Sequence, residues 1–461
     1  MTIWHPDSAA LTRPKYLSLA EQMAAAIERG DLSPGQRLPT HRGLSDSVGV
    51  SVQTVSRAYE ELIRRGLLVG EVGRGTFVRP GPAEPAMPFR DARTAGLIDL
   101  SLIKPVADNR HERRLAETLE DLAAGLPADL VVSFRPNVGI QRHREAAAEW
   151  LHLCGLSANP ESVIITNGVT SAQTVSLMTL SRPGAVLLTE AIGHHAVAAL
   201  ASFLGYTVRG VTIDDDGIVP DALDQACGDG DVRALFITPS AANPTATMVS
   251  KDRRKAIVEV ARRHDIFILE NDAWGPLMPD RPPPFSALAP ERSFHMSGFT
   301  KCLMPGLRTG YLVVPPMMMA AARNRQVLTS WMATPLIAEV VYRWVRDGTA
   351  WDLVRWQQNA LSRRHRIVEE EFSGMFFRSA RYGLHVWLPL PEQWGVEAFV
   401  AHALASGVAI APGKPFLIDP SSPSRAVRVA LASTSEDELR HGLQTVARAF
   451  HERPEPLLDP L

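Results

Sequence analysis

Residues 80–88 read Pro80-Gly81-Pro82-Ala83-Glu84-Pro85-Ala86-Met87-Pro88. Four prolines this close together neither continue a helix nor pair in a sheet. The physics leaves an extended linker, which cuts the chain into a short head and a long body. The length of 461 residues suits two or three domains. The expected division is a head over 1–79, a linker over 80–96, a large domain over 97–316 and a smaller one over 317–461. Hydrophobic residues at 45% against 21% charged describe a chain that buries a large core rather than one that stays disordered.

The head carries helical periodicity. Leu19, Met23 and Ile27 fall on one face of a helix that Gly30 ends. Thr40 is placed to cap a second helix bearing Leu44 and Val48, and Gly49 makes the turn. Ser51 then caps a third, with Val55, Tyr59, Leu62 and Ile63 on its buried side and Gly66 at its end. Two short apolar runs, 67–69 and 76–78, flank Glu71-Val72-Gly73-Arg74-Gly75 and predict a hairpin. Three helices with a tight turn between the last two, followed by a hairpin, is the winged helix-turn-helix pattern. In that geometry the start of the third helix enters the major groove. Ser51, Gln53 and Thr54 are therefore candidate base or phosphate contacts, with Arg57 one turn later. Arg42 and Arg74 are placed for phosphates or the minor groove. Residues 1–80 hold ten Lys/Arg against eight Asp/Glu, while the whole chain is −2, so any basic surface is local.

The body alternates differently. Short apolar runs at 163–166, 185–189, 234–238, 266–269 and 294–297 are mostly separated by helical segments such as 251–264. Such alternation predicts an α/β fold whose mostly parallel sheet is covered on both faces. From about residue 317 long helices, strands at 385–388 and 427–431 and a closing helix at 436–450 predict a smaller α+β domain.

In open parallel sheets, ligands sit beyond the C-terminal strand ends. Five polar groups follow five of these runs: Gly168 with Thr170 and Ser171, His194, Asn243, Asp272, and Lys301. A lysine amine can form an imine with an aldehyde, and an acid can keep a pyridine nitrogen protonated. An asparagine can bond a ring hydroxyl, and a histidine can stack on the ring. Gly168, Thr170 and Ser171 open a helix, where N–H groups favour phosphate, and Arg308 offers a charged fork to the same group. Pyridoxal phosphate needs this set of partners.

Leu38-Pro39-Thr40-His41-Arg42, Gly49 to Val55 and Gly73 to Val78 resemble the GntR family of regulators. Asn243-Pro244-Thr245, Glu270 to Leu277 and Thr300 to Tyr311 resemble class I, fold-type I aminotransferases. Together, from about residue 15 to 450, the chain resembles the MocR subfamily of regulators. The resemblance implies a winged helix-turn-helix fused to a fold-type I transferase domain, with pyridoxal phosphate as an internal aldimine on Lys301. It implies that Thr300 and Trp274 line the cofactor and that Arg428 grips an amino-acid carboxylate. It further implies a domain-swapped homodimer that binds double-stranded operator DNA and senses an amino acid or amine through an external aldimine. Five positions depart from the family's habit: Val52 where a polar or basic residue is usual, Phe134 and Trp274 where Tyr is usual, Ala246 where Gly is, and Gly298 where Ser or Thr is.

Cys154, Cys227 and Cys302 are far apart and form neither a metal-ligand spacing nor a disulfide framework, which suits free thiols in a reducing cytoplasm. No signal peptide or membrane span is expected. Two other functions share these residues: a working aminotransferase with an accessory DNA-binding head, and a regulator whose pocket has lost its cofactor.

Overall fold

The computed structural model describes residues 6–8, 11–28, 31–33, 35–65, 67–71, 75–78, 96–182, 184–419 and 424–452. Gly30, Gly66, Arg74, Arg79 and residues 80–95 of the expected linker lie outside them. The chain forms two compact units, Met1–Thr94 and Ala95–Leu461.

The first unit holds helices Lys15–Glu28, His41–Val48 and Val52–Arg64, then an antiparallel pair, Leu68–Glu71 with Gly75–Val78. Thr40 Oγ1 accepts the Gly43 N–H and Ser51 Oγ accepts the Thr54 N–H, so both expected caps are made. Gly49 takes the left-handed conformation (φ 72°) that the tight turn demands. Leu19, Met23, Val55, Leu62, Leu68 and Val78 close the core. Ile63 is a correction: it is 44% exposed. One residue is 100° of helix, so the face that buries Leu62 turns its neighbour outward.

The second unit is built on a seven-stranded sheet. Its order is Val163–Thr166, Gly310–Val313, Ser293–Gly298, Phe267–Asn271, Val232–Ile237, Val186–Glu190, Thr207–Val211. Gly310–Val313 is antiparallel to both neighbours, and the other paired strands run parallel. The central strands are Val/Ile/Leu-rich and buried on both faces, with helices such as Val169–Leu180 and Lys251–Arg263 packed over them. A second, four-stranded sheet pairs Arg378–Ser379, His385–Pro389, Ala426–Ala430 and Ala411–Pro412. The helices Thr349–Glu371 and Glu436–His451 pack together beside it, and the latter starts in a Ser435/Glu438 capping box.

Residues 98–100 join this second sheet's layer. Ile98–Asp99 pairs in parallel with Val408–Ala409, Ala430 N–H donates to Leu100 O at 2.7 Å, and Ser433 Oγ donates to Asp99 O. A Cβ on Gly442 would sit 2.8 Å from Leu100 Cδ1 and 3.2 Å from Ile98 Cγ2, so the closing helix lies close against this strand at a glycine.

Leu269 is fully buried in the middle of the large sheet. Leu269→Ala is expected to lower the unfolding free energy of this unit by about 2–5 kcal/mol, read as a lower urea midpoint at unchanged slope. A change under about 0.5 kcal/mol would mean that the site is not packed as described.

Candidate functional site

The parallel strands bring the expected residues to one rim. Asp272 follows strand Phe267–Asn271, and its N–H donates to Met296 O at 2.8 Å on the strand that leads to Lys301. Asp272 is 1% exposed. Its Oδ2 accepts Arg281 Nη2 at 2.9 Å, while Oδ1 is buried with no partner among the described residues. Two residues on, the Trp274 ring lies 5.8 Å from the Lys301 amine. Lys301 Nζ donates to Ile103 O at 2.8 Å. Burial, with the charges of Arg428 and Arg308 adding to it, pulls the Lys301 ammonium down to about 8.

A second cluster is built around glycines. Gly168 caps helix Val169–Leu180 with φ 80° and no side-chain cap, which leaves first-turn N–H groups open. A Cβ there would lie 3.1 Å from Arg308 Nη2, so the guanidinium rests against the Gly168 backbone. Arg308 is itself left-handed at φ 41°. Thr170 is exposed and Ser171 half-buried in the first turn, and Thr300 is half-buried beside Lys301. Gly298 has a structural cause: a Cβ would stand 3.0 Å from Thr309 O and 3.1 Å from Val169 Cγ2. A Ser or Thr there would need its neighbours to give by a few tenths of an ångström.

A third group comes from the smaller sheet. Arg428 Nη1 donates to Asn243 Oδ1 at 2.8 Å and Nη2 to Ser101 O at 2.6 Å, with its guanidinium 4.9 Å from the Phe416 ring centre. Burial brings Arg428 down to about 10, still a cation at neutral pH. His385 Nε2 meets Pro244 O at 3.1 Å and its ring tilts against Trp274 at 5.8 Å. Burial, then Arg428, pushes His385 down to about 3, so it is neutral. His194 is half-buried at a helix start, and its loop is tied in by Gly193 N–H donating to Phe416 O. Ala246 holds φ 58°, a left-handed conformation in which alanine is strained and glycine is not.

Sequence reasoning missed Arg281, His385, Phe416 and the carbonyls of Ser101 and Ile103. Backbone acceptors carry no sequence signal, and Arg281 stands in a loop before Pro282-Pro283-Pro284 with no periodicity to mark it.

In the first unit Val52, Gln53, Arg42 and Arg57 are exposed. Ser51 Oγ and Thr54 Oγ1 lie 2.8 Å apart and bond each other. The Arg57 guanidinium stacks 4.1 Å over the Tyr16 ring, which fixes its direction.

Residues 126–446 match the family described as Aminotransferase class I and II, and residues 15–78 match Bacterial regulatory proteins, gntR family. The chain belongs to the class I and II aminotransferase family and carries a GntR-type regulatory head. Class I and II aminotransferases are a pyridoxal-phosphate-dependent fold family. The chain is 26% identical over 449 residues to the uncharacterized HTH-type transcriptional regulator YdeF of Bacillus subtilis, covering 96% of each. It is 27% identical to the HTH-type transcriptional regulator TauR of Rhodobacter capsulatus, over 94% of this chain and 96% of that one. To the HTH-type pyridoxine biosynthesis transcriptional regulator PdxR of Corynebacterium glutamicum it is 30% identical, over 64% and 65%. Among solved structures it is similar to an archaeal alanine:glyoxylate aminotransferase, with TM-score 0.70 and 24% identity over 77% of this chain and 90% of that one. A kynurenine aminotransferase of Pyrococcus horikoshii gives TM-score 0.71 and 21% identity over 77% and 91%. These two likenesses show the fold. The protein is a transcription regulator with an aminotransferase-like domain. Among the described residues no helix is long and apolar enough to cross a membrane.

Only the neutral amine is nucleophilic, so the reactivity of Lys301 rises as pH passes its midpoint. Trapping it with a small aldehyde and borohydride is expected to give a midpoint near 8. A midpoint at the ordinary lysine value, about 10.4, would contradict the buried environment described.

Proposed function

We propose that the protein is a cytoplasmic, pyridoxal-phosphate-dependent DNA-binding regulator that senses an amino acid or amine in the pocket of its aminotransferase-like unit. The observation that carries this reading is the buried Oδ1 of Asp272, without a hydrogen-bond partner among the described residues, two positions before a Trp274 ring that lies 5.8 Å from the Lys301 amine. An orphaned buried carboxylate oxygen is costly unless a ligand satisfies it. The residues fit the cofactor: Lys301 as attachment point, Asp272 for the ring nitrogen, Asn243 for the ring hydroxyl, His194 and Trp274 against the ring. Gly168, Thr170, Ser171, Thr300 and Arg308 form the phosphate cradle. When bound, pyridoxal phosphate supplies an aldehyde that exchanges amines and a ring that draws electrons. Arg428, held by Asn243 and Ser101, is placed to orient an effector carboxylate.

The head meets double-stranded operator DNA through Gln53, Thr54 and Ser51 at the start of the recognition helix and through Arg42, Arg57 and Arg74. The domain division is the one read from sequence: 1–79, 80–96, 97–316 and 317–461. Exposed Val131, Val132, Phe134, Leu328 and Trp331 suit burial by a second copy in a domain-swapped homodimer. Phe134 O accepts Trp331 Nε1 at 3.1 Å, which ties the two stretches of this apolar surface together.

Effector and operator are coupled through residues 98–103. They follow the head in sequence, join the smaller sheet's layer, and offer carbonyls to Arg428 at Ser101 and to Lys301 at Ile103. A ligand that recruits either side chain alters the hold on this strand. In this reading the ligand favours a strand released from these side chains over the one held by them, the unequal binding that a switch requires. A second reading, an active aminotransferase with an accessory head, is favoured by Lys301, Asp272 and Arg428 being together.

Purified protein is expected to show a visible cofactor band that Lys301→Ala abolishes. Arg42→Ala and Arg57→Ala should each weaken operator binding about tenfold and reduce the salt slope by about 1. A colourless protein that ignores added pyridoxal phosphate would defeat the cofactor reading, and steady transamination with no operator binding would favour the enzyme. Gly442→Val, which wedges against Leu100, should leave the effector-induced spectral change intact but abolish its effect on operator affinity. An unaltered operator response would refute the coupling route.

A further inference from the structure

Asp272 is held by a cation that the pocket's other chemistry does not call for. Arg281 Nη2 donates to Asp272 Oδ2 at 2.9 Å and also to Cys154 O, and the two side chains are 6% and 1% exposed. The carboxylate cannot swing away. A Cβ on Gly275 would lie 2.1 Å from Oδ2, so Asp272 rests directly on the Gly275 backbone. The other charged and titratable groups near it have their own partners. Glu270 accepts Phe285 N–H, Ser286 N–H and His295 Nδ1, with Arg254 3.8 Å away. Arg254 also donates to the carbonyls of Val249, Pro283 and Pro239. His295 Nε2 stands 3.9 Å from Asp272 Oδ2, beyond hydrogen-bond reach. Burial keeps the Cys154 thiol neutral by pushing it up to about 12. Arg281 is thus the one cation in hydrogen-bonding contact with Asp272 among the described residues.

Resting on the cofactor reading above, we propose that Arg281 is a positioning residue that makes Asp272 a weaker proton holder for the cofactor's ring nitrogen than a bare carboxylate would be. A carboxylate facing the nitrogen favours its protonated form. A guanidinium on the same carboxylate cancels part of that field, and in a dry site a unit charge so close shifts a proton equilibrium by about one to two pH units. The consequence separates two kinds of chemistry. Exchange of one amine for another at the aldehyde carbon needs Lys301 and does not need a protonated ring. Loosening an amino acid's Cα–H bond leaves its electron pair on the ring, and that does need the proton. Arg281 therefore biases this pocket toward capturing an amine and away from turning it over, which suits a sensor.

The test uses the full-length protein loaded with pyridoxal phosphate labelled with nitrogen-15 in the ring, titrated by NMR through neutral and mildly alkaline pH. The wild type is expected to lose the ring proton within that range. Arg281→Gln should move the midpoint upward by about one unit or more, and Arg281→Lys, which keeps the charge, should restore the wild-type value. An Arg281→Gln midpoint equal to that of the wild type would overturn the proposal. If Arg281→Gln does not fold or load, the wild type decides alone: a proton lost in this range supports the proposal, and one retained throughout overturns it. Protein that retains no cofactor band overturns the cofactor reading and this one together. A retained band with an unresponsive ring nitrogen overturns this one only.

Discussion

Two adjacent parallel strands, Phe267–Asn271 and Ser293–Gly298, pair in register from Ile268 with Ser293 to Asn271 with Met296. Because they run the same way, both deliver their next residues to the same edge of the sheet. One chain end turns at Asp272 and the other continues to Lys301. Everything proposed for the pocket depends on this pairing, since a carboxylate and an amine 29 positions apart in sequence meet around one ligand only if their strands stay aligned. A one-residue slip would turn each strand's side chains to the opposite face. The unbroken burial of Ile268, Leu269, Phe294 and Met296 is what resists that slip.

Much of this was legible in the sequence because it follows from periodicity and from caps. The helices of the head were readable from Thr40, Gly49 and Ser51, whose roles are local and whose chemistry is specific. Five of the parallel strands were readable as apolar runs, some shifted by a residue or two at their ends, while the mostly exposed edge strand Thr207–Val211 was not. The antiparallel strand Gly310–Val313 was not separated from the motif leading into it, because Gly310-Tyr311 continues the segment that starts at Lys301. Ile63 was misplaced because the buried stripe of its helix runs through Val55, Ala58, Tyr59 and Leu62, and Ile63, 100° on from Leu62, falls past the stripe's edge. Arg74 and the linker up to residue 95 fall outside the described residues.

The positions that depart from family habit divide by cause. Gly298 stands where a Cβ would be tight against Thr309 O and Val169 Cγ2. Ala246 accepts backbone strain in a buried turn. Trp274 keeps an aromatic face near the lysine while exchanging a phenol for an indole, and it leans on a neutral His385. Phe134 joins Trp331 in an exposed apolar surface. None of these removes the amine, the acid or the arginine from the pocket. The site proposed for the cofactor thus keeps its amine, acid and arginine, and the acid is bonded to Arg281, which no motif marks.

The central claim is that one ligand ring spans Lys301 and Asp272, and it is tested most directly by locating the cofactor chemically. The chain has six lysines, at positions 15, 104, 251, 255, 301 and 414, so a site of attachment is readily mapped. Borohydride reduction of the cofactor-loaded protein, followed by peptide mass analysis, should find a single phosphopyridoxyl group on the peptide containing Lys301. Label spread over the other five lysines, with Lys301 unmodified, would contradict the account.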